Sequence, residues 1–369
     1  MRASTMMTAL LVLLTVGMCG ASHAAERFVY GSYVPRSHTF HTAGLEPYFE
    51  AVRKDSDGEM RFRLLSDGTV VDASNTLTGI RNGTVDMGLI VDVYIPSTLP
   101  TEATINELAL FADNTTAAAA AMTEMVLLHC PQCQSEWKKA GVTPIAFYST
   151  SPYYLMCKTP ISDLASLKGK RIKSATAWNG LAAHFGATPV SLATSETYEA
   201  MSRGQVDCAL AGAAYLKSYG LADIVKYIVD MPMGSYMGAT FIDMNTERWQ
   251  ALTDDQRKLF IDHAAEAIVN VSNGYDADAE ESLTKAHKDG VKFIEPGAPL
   301  TDSYDAYLEK ERKRVAALAE KRGVKDPENL VTTYLDLLSQ WTKIVEDADG
   351  DKATLVEAIN KRIYAKADL

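Results

Sequence analysis

Short apolar runs of strand length alternate along the chain with longer segments whose apolar residues recur every three or four positions. Helical spacing extends over 42–54 and over the charge-rich stretch 302–322, and Thr253 and Gln256 form a capping-box pattern that opens a further long helix. Strands are predicted at 27–33, 60–65, 142–147 and 237–243. Strands and helices that alternate in this way predict an α/β fold.

One segment of the chain occurs twice. LTGIRNGTVDMGLIVDVY at 77–94 aligns without gaps with YEAMSRGQVDCALAGAAY at 198–215. In each copy an apolar helix face ends before a glycine, Gly83 or Gly204, which permits a left-handed turn, and Val-Asp then enters a buried strand. The repeat predicts two similar α/β halves. The alternative is that any corner formed by a helix, a glycine and a strand has this pattern.

The first 24 residues have the pattern of an export signal. Arg2 precedes an apolar run that ends in the small-residue sequence Ser22-His23-Ala24. The run is too short to span a membrane, so we predict a secretory signal peptide over 1–24 and a periplasmic location. A lipoprotein signal at Cys19 is a weaker alternative, because Met18 is bulky where such signals need a small residue.

The charge of the chain limits its partners. The formal net charge is −11 at pH 7, which argues against nucleic acid and against anionic membrane surfaces. An anionic small ligand would therefore need a local positive site. The sequence contains no phosphate loop, no G-x-S-x-G elbow, no HExxH and no kinase motifs, so no class of enzyme is indicated.

Four cysteines follow the signal peptide, and they permit three pairings. Cys130-Pro131-Gln132-Cys133 is compatible with a metal site, with thiol exchange or with a local structural disulfide. No second pair of ligands completes a zinc site, and no βαβ context like that of thioredoxins surrounds the motif. The local disulfide between Cys130 and Cys133 is the favoured interpretation.

Candidate ligand groups follow the predicted strands, where a rigid α/β scaffold presents its loops. The loop after the first strand carries Tyr33, His38 and His41, although a histidine in a loop is more often only solvated. Aromatic residues also follow strand ends elsewhere, and core packing is the alternative explanation for them. The remaining candidates from this placement are Tyr94, Tyr153, Trp178, Tyr215, Thr176 and Asp92.

Several segments together resemble a known family. In chain order they are GTVDMG, PYYLMCKTPISDLASLKGKRIKS, ATPVSLATSETYEAMSRGQVD and LTDDQRKLFIDHAAEA. They resemble the solute-binding proteins of tripartite ATP-independent periplasmic (TRAP) transporters, over essentially the whole chain after the signal peptide. The resemblance implies a two-lobed α/β periplasmic binding protein fold with a ligand cleft between the lobes, crossing strands and a long C-terminal helix. Lobe I would comprise 25–150 plus 238–285, and lobe II 151–237 plus 286–369.

The resemblance also implies where a ligand binds. Members of the family commonly hold an organic acid through an arginine on the strand after the Leu-Lys-Gly turn, and that position is Lys173 here. Arg171 lies two residues earlier and by alternation is expected to point the same way. A lysine neutralises a carboxylate as a point charge and not as a planar fork. Two further family positions fall on Tyr153 and Ala211.

The function implied by the resemblance is capture of a small, carboxylate-bearing solute and its delivery to the membrane permease of a TRAP transporter. No catalysis, no cofactor and no metal are expected, and the protein is expected to be a monomer. Two alternatives belong to other classes: a periplasmic sensor that presents its ligand to a receptor, and an exported thiol-redox enzyme that uses Cys130 and Cys133.

Overall fold

The computed structural model describes residues 25–369, so the predicted signal peptide lies outside the described residues. Within this range the chain forms three β-sheets surrounded by helices. The strands are β1 (Glu26–Gly31), β2 (Met60–Leu65), β3 (Met87–Gly88), β4 (Ile90–Val91), β5 (Val142–Tyr148), β6 (Tyr153–Cys157), β7 (Arg171–Lys173), β8 (Thr188–Val190), β9 (Cys208–Gly212), β10 (Tyr227–Val229), β11 (Ala239–Asn245) and β12 (Lys292–Ile294).

The α-helices include those predicted over 42–54 and 302–322 and after Thr253. They are α1 (Glu46–Asp55), α2 (Thr76–Arg81), α3 (Pro100–Ile105), α4 (Thr115–Glu124), α5 (Pro131–Ala140), α6 (Ala177–His184), α7 (Thr197–Ser202), α8 (Tyr215–Ser218), α9 (Thr246–Ala251), α10 (Asp254–Asp262), α11 (Ala264–Lys288), α12 (Ala298–Lys321), α13 (Pro327–Ala348) and α14 (Lys352–Ile359). The capping box before α10 is confirmed: the amide N of Gln256 donates to Thr253 Oγ1, and the amide N of Thr253 donates to Gln256 Oε1.

The first sheet has the order β2-β1-β3 and is parallel throughout. A larger sheet has the order β12-β10-β6-β9-β7-β8, in which β6 runs antiparallel to both of its neighbours. A third sheet, β4-β11-β5, is antiparallel and contains β4, the direct continuation of β3. The first and third sheets are therefore linked by one continuous stretch of chain.

The chain crosses between the third sheet and the larger one twice, from β5 to β6 and from β10 to β11. The two crossing segments run side by side: the amide of Thr150 donates to Tyr236 O at 2.8 Å, and the amide of Tyr153 donates to Gly234 O at 2.8 Å. Gly234 has φ +76, and a Cβ there would lie 2.2 Å from Ala109 O. A glycine is needed at this close approach.

The repeated segment forms the same local structure in both copies. Gly83 has φ +72 after α2, and Gly204 has φ +71 after α7, and the following strand in each case lies parallel to an earlier one. The aspartate that follows repeats as well. The amide of Asp86 donates to Val29 O and its carboxylate accepts from the amide of Val29, while Asp207 makes the same two bonds with Arg171. The two similar α/β units predicted from the repeat are present.

Both pairs of cysteines form disulfides. Cys130–Cys133 is confirmed, and Cys157–Cys208 joins residues that are direct partners in the register of β6 and β9, with Cα atoms 4.0 Å apart. The amide of Lys158 donates to Asp207 O beside them, so the two cysteines occupy a non-hydrogen-bonded pair, where antiparallel strands approach most closely.

The last helices pack on the first half of the chain. Trp341 Nε1 of α13 donates to Glu124 Oε2 of α4 at 2.7 Å, and the hydroxyl of Tyr364 donates to Ile145 O on β5 at 3.0 Å. The predicted lobe boundaries remain a prediction. The contacts nevertheless join part of 286–369 to helices and strands that the prediction assigned to lobe I.

Candidate ligand-binding site

A narrow cavity of about 40 Å³ lies where the loops after β1, β4, β7 and β9 meet the two crossing segments. Aromatic side chains dominate its surface, because nine of the fifteen residues that line it in the described chain are tyrosine, tryptophan or histidine. The lining residues are Tyr33, Val34, His38, Val91, Val93, Tyr94, Tyr148, Tyr153, Lys173, Ala175, Trp178, Thr194, Tyr215, Tyr219 and Tyr236.

Lys173 is the cationic group of this cavity. It is the last residue of β7, its exposed fraction is 2 %, and its Nζ donates to Thr194 Oγ1 at 3.3 Å. Burial lowers the pKa of the Lys173 ammonium to about 8, and no carboxylate among residues 25–369 pairs with it. A buried charge without a counter-ion is unfavourable. The cavity is therefore suited to a ligand that supplies negative charge beside Thr194.

Arg171 does not line the cavity, contrary to its predicted orientation. Its guanidinium binds both carboxylate oxygens of Asp207, and its side chain is 44 % exposed. The reason is position along the strand. The cavity lies at the carboxyl end of β7, and Arg171 begins that strand about 6.6 Å earlier, at roughly 3.3 Å per residue.

Stacked rings form one wall of the cavity. Tyr153 stacks on Trp178 with centroids 4.2 Å apart, and Tyr215 meets Tyr153 edge-on at 6.1 Å. Trp178 is fully buried, and its Nε1 donates to Met233 O at 2.7 Å. The indole of Trp178 is fixed by the stack with Tyr153 and by the hydrogen bond to Met233 O. This wall is therefore a preformed surface for an apolar ring.

Tyrosines from the first half close the charged end. Tyr33 and Tyr94 meet edge-on at 6.0 Å, and the amide of Thr194 donates to the hydroxyl of Tyr94 at 3.1 Å. Tyr94 and Tyr215, which are equivalent in the repeated segment, both line the cavity, as the sequence placed them. The pair Tyr94 and Thr194 thereby connects the loop after β4 to the loop after β8 next to Lys173.

The two histidines of the first loop differ. His41 Nε2 lies 2.9 Å from Ser32 Oγ and its Nδ1 lies 3.0 Å from Pro35 O, so both ring nitrogens hold the loop and His41 does not line the cavity. His38 does line it and is 1 % exposed. Burial lowers the pKa of His38 to about 3 and that of His41 to about 4, so both rings are neutral at physiological pH.

The other predicted residues lie around the cavity. Asp92 accepts from the hydroxyl of Tyr236 at 2.6 Å and from Asn106, behind the lining, and burial raises the pKa of its carboxyl to about 7. Ala211 is buried in β9 opposite Tyr154 and does not line the cavity. Thr176 lies in an adjoining outer chamber of about 410 Å³, with φ +47 in the left-handed region.

The outer chamber joins the cavity, because Val93, Tyr94 and Ala175 line both. Its polar groups include Asn179, Ser191 and the ion pair of Arg322 with Glu107. This chamber is wider and more open than the cavity.

Some lining residues were not predicted. Tyr219 follows Tyr215 by four positions, which is one helical turn, and that spacing would have indicated it. Tyr148 belongs to the crossing segment from which only Tyr153 was named as a candidate ligand residue. Thr194, Tyr236 and Ala175 carry no signal in the sequence, because only the packing of the two crossing segments and of the loop after β8 brings them to the cavity.

Comparison with known proteins decides the family. The profile of the bacterial extracellular solute-binding proteins, family 7, matches residues 30–317. The chain belongs to this family. The predicted class, a TRAP-type solute-binding protein with a two-lobed α/β fold, is confirmed, and the family places its members outside the cytoplasm.

The relatives of this family 7 protein are distant in sequence. The 2,3-diketo-L-gulonate-binding periplasmic protein YiaO of Escherichia coli is 22% identical over 311 residues, which covers 77% of this chain and 93% of that protein. A TRAP solute-binding protein of Rhodoferax ferrireducens, solved with copurified benzoate, has a TM-score of 0.78 at 17% identity and covers 87% and 99% of the two chains. A marine metagenome protein, solved with 3-hydroxybenzoate, has a TM-score of 0.77 at 22% identity, with 86% and 98% covered.

Two features are absent from residues 25–369. No helix in that range is long and apolar enough to cross a membrane, and no group of three or more histidine, cysteine, aspartate or glutamate side chains is arranged to hold a metal ion.

Proposed function

We propose that this protein captures a monocyclic aromatic carboxylate and delivers it to the membrane permease of a TRAP transporter. The observation that carries the proposal is the position of Lys173, a buried ammonium with a threonine hydroxyl as its partner, at one end of a cavity with aromatic walls. A ligand carboxylate would complete the ion pair and share the Thr194 hydroxyl. Such charge-assisted hydrogen bonds are worth about 1.5–3 kcal/mol.

The walls favour a ring over an aliphatic chain. The Tyr153 and Trp178 pair offers a flat face, and the edge of Tyr215 completes the corner. An aromatic ring between such faces gains roughly 0.5–1.5 kcal/mol per contact beyond the area that it buries. The solved proteins of similar fold that hold benzoate and 3-hydroxybenzoate support the same class of ligand.

Isothermal titration calorimetry on the mature chain, with benzoate, benzamide and succinate as ligands, tests this proposal. Benzamide keeps the ring and the shape but lacks the charge, and succinate keeps the charge without a ring. We expect benzoate to bind at least tenfold more tightly than either. Binding of succinate in preference to benzoate would overturn the aromatic assignment, and equal binding of benzamide would overturn the role of Lys173.

The proposal includes several finer expectations. The signal peptide over 1–24 is removed on export, the solute leaves the site chemically unchanged, and the protein acts as a monomer without nucleic acid. The net charge of −11 supports the last expectation. Incubation of benzoate with the protein, followed by chromatography of the small molecules, checks the second: a new product would contradict a pure binding function.

A further inference from the structure

His38 lines one end of the cavity, and one of its ring nitrogens has no partner. His38 Nδ1 is buried and forms no hydrogen bond with the described residues 25–369. The ring of Tyr275, which does not line the cavity, lies 6.0 Å from that of His38, centroid to centroid. Buried polar groups are nearly always hydrogen-bonded, and each one left without a partner costs about 1–3 kcal/mol.

His41, three positions further along the same loop, shows that its histidines do not generally have a ring nitrogen without a partner. Both ring nitrogens of His41 have protein partners, Pro35 O and Ser32 Oγ, and His41 stands outside the cavity lining. The same loop therefore contains one histidine that holds the fold and one, His38, whose Nδ1 has no protein partner.

His38 also stands apart from the charged end. Its ring neighbours are Phe40, His41, Tyr215, Tyr219 and Tyr275, at centroid distances of 5.2–6.5 Å. Lys173, Thr194 and Tyr94 form a separate cluster of contacts. The edge-on pair of Tyr153 and Tyr215 contacts the His38 cluster through Tyr215, whose ring centroid lies 6.0 Å from that of His38. Because both clusters line one cavity, an acid with its carboxylate at Lys173 and its ring on this pair would have His38 beside that ring.

We infer that His38 forms a hydrogen bond with a hydroxyl group on the ring of the bound acid. The protein would then select hydroxylated aromatic carboxylates over unsubstituted ones. This inference rests on the proposed function. A neutral imidazole presents one donor and one acceptor, so His38 can bond a phenolic hydroxyl with either nitrogen. Sites built to hydrogen-bond a ligand hydroxyl discriminate strongly against the analogue that lacks it, because the site is then left with unpaired polar groups.

Calorimetric titration of the mature protein with benzoate, 3-hydroxybenzoate and 4-hydroxybenzoate tests the inference. We expect one hydroxylated acid to bind at least fivefold more tightly than benzoate. In His38→Phe, which keeps a ring of similar size, the hydroxylated and unsubstituted acids should bind within twofold of each other. His38→Gln, which restores a donor and an acceptor, should recover part of the preference and serves as the second variant if His38→Phe does not fold.

His184→Phe is the matched control, because it makes the same substitution at a histidine that does not line the cavity and whose Nε2 lies 3.0 Å from Ser303 O. Its preference for the hydroxylated acid should equal that of the unmodified protein. A preference that survives in His38→Phe overturns the inference, as does benzoate binding with no preference in the unmodified protein, which would mean that a buried water satisfies Nδ1. Failure of all three acids to bind would instead overturn the proposed function on which the inference rests.

Discussion

The two halves of the cavity have the same backbone arrangement but different side chains. Strand β1 pairs with β3 as β7 pairs with β9, and Asp86 and Asp207 tie each pair with the same two hydrogen bonds. Through this register Gly31 beside Gly88 corresponds to Lys173 beside Ala209. The first half therefore has no side chain at the position where the second half has its ammonium.

Packing explains the difference at Gly31. A Cβ there would lie 2.8 Å from Val71 Cγ2 and 3.1 Å from Val85 Cγ1, so the space is already filled by apolar side chains. The first half contributes to the cavity through residues beyond its strands, such as Tyr33, His38 and Tyr94. The repeated scaffold thus fixes where ligand groups can stand, while the charge of the site depends on one position.

The largest effect is expected from the covalent link that distinguishes the second corner. Cys208 pairs with Cys157 across 51 residues, whereas the equivalent residue of the first corner is Met87. Replacing Cys157 and Cys208 together by alanine should cost about 4 kcal/mol of unfolding free energy, because the closed loop is long. Urea unfolding measures the loss.

The control for this prediction is the short disulfide, since Cys130 and Cys133 are separated by three positions. Replacing both by alanine should cost about half as much, roughly 2 kcal/mol, on the same chain-entropy argument. Equal losses for the two double variants would show that local packing, and not loop closure, decides the contribution.

Removing the ammonium makes the two halves alike in charge. Lys173→Met should weaken benzoate binding by about 1.5–3 kcal/mol, which is roughly 10- to 150-fold. The melting temperature of the ligand-free variant should rise, because an uncompensated buried charge is lost. Calorimetry and thermal unfolding measure both.

Lys170→Met is the matched control, since Lys170 Nζ also donates to a threonine hydroxyl, that of Thr159, but away from the cavity. Its affinity for benzoate should be unchanged. If Lys170→Met and Lys173→Met weakened binding equally, the role assigned to Lys173 would be a non-specific effect of net charge.

The pH dependence of binding sharpens the comparison further. The pKa of Lys173 in the ligand-free fold is about 8, below its usual value of 10.5, and a bound carboxylate raises it again. Affinity should be constant below about pH 7 and fall up to tenfold per unit above pH 8, about 1.4 kcal/mol per unit, until the pKa of the complex is reached. Calorimetry at pH 6.5, 8 and 9 measures this fall.

The lowered pKa of Lys173 also makes the stability of the ligand-free fold depend on pH, in the direction opposite to that of the affinity. Because the folded-state pKa is below the unfolded one, Lys173 destabilises the ligand-free fold below pH 8, and this penalty is relieved as pH rises from 8 to 10.5. Lys173→Met should lack both effects. An unchanged pH profile of affinity in that variant would assign the titration to another group.

The smallest effect is expected at Arg171, which begins the strand that Lys173 ends. Its ion pair with Asp207 is largely exposed, and such pairs contribute little to stability. Arg171→Met should lower the melting temperature slightly and leave the affinity for benzoate unaltered. Loss of binding in this variant, without loss of folding, would show that the guanidinium reaches the ligand after all.

The sequence alone determined the local features of this protein, because each depends on neighbouring residues. The left-handed turns at Gly83 and Gly204, the capping box of Thr253 and the strand at 60–65 follow from propensity and periodicity over a few positions. Lys173 was identified through the family resemblance, as the position of the family's arginine after the Leu-Lys-Gly turn. The repeat predicted two α/β units, and they are present.

Only the tertiary structure decided what depends on register and on long-range packing. Cys157 meets Cys208 because β6 and β9 pair in one register, and sequence offers three pairings for four cysteines. Arg171 and Lys173 share a short strand, but only the end of that strand opens into the cavity. Tyr148 and Tyr236 both line the cavity because two crossing segments run side by side. The periodicity within either segment does not predict that contact.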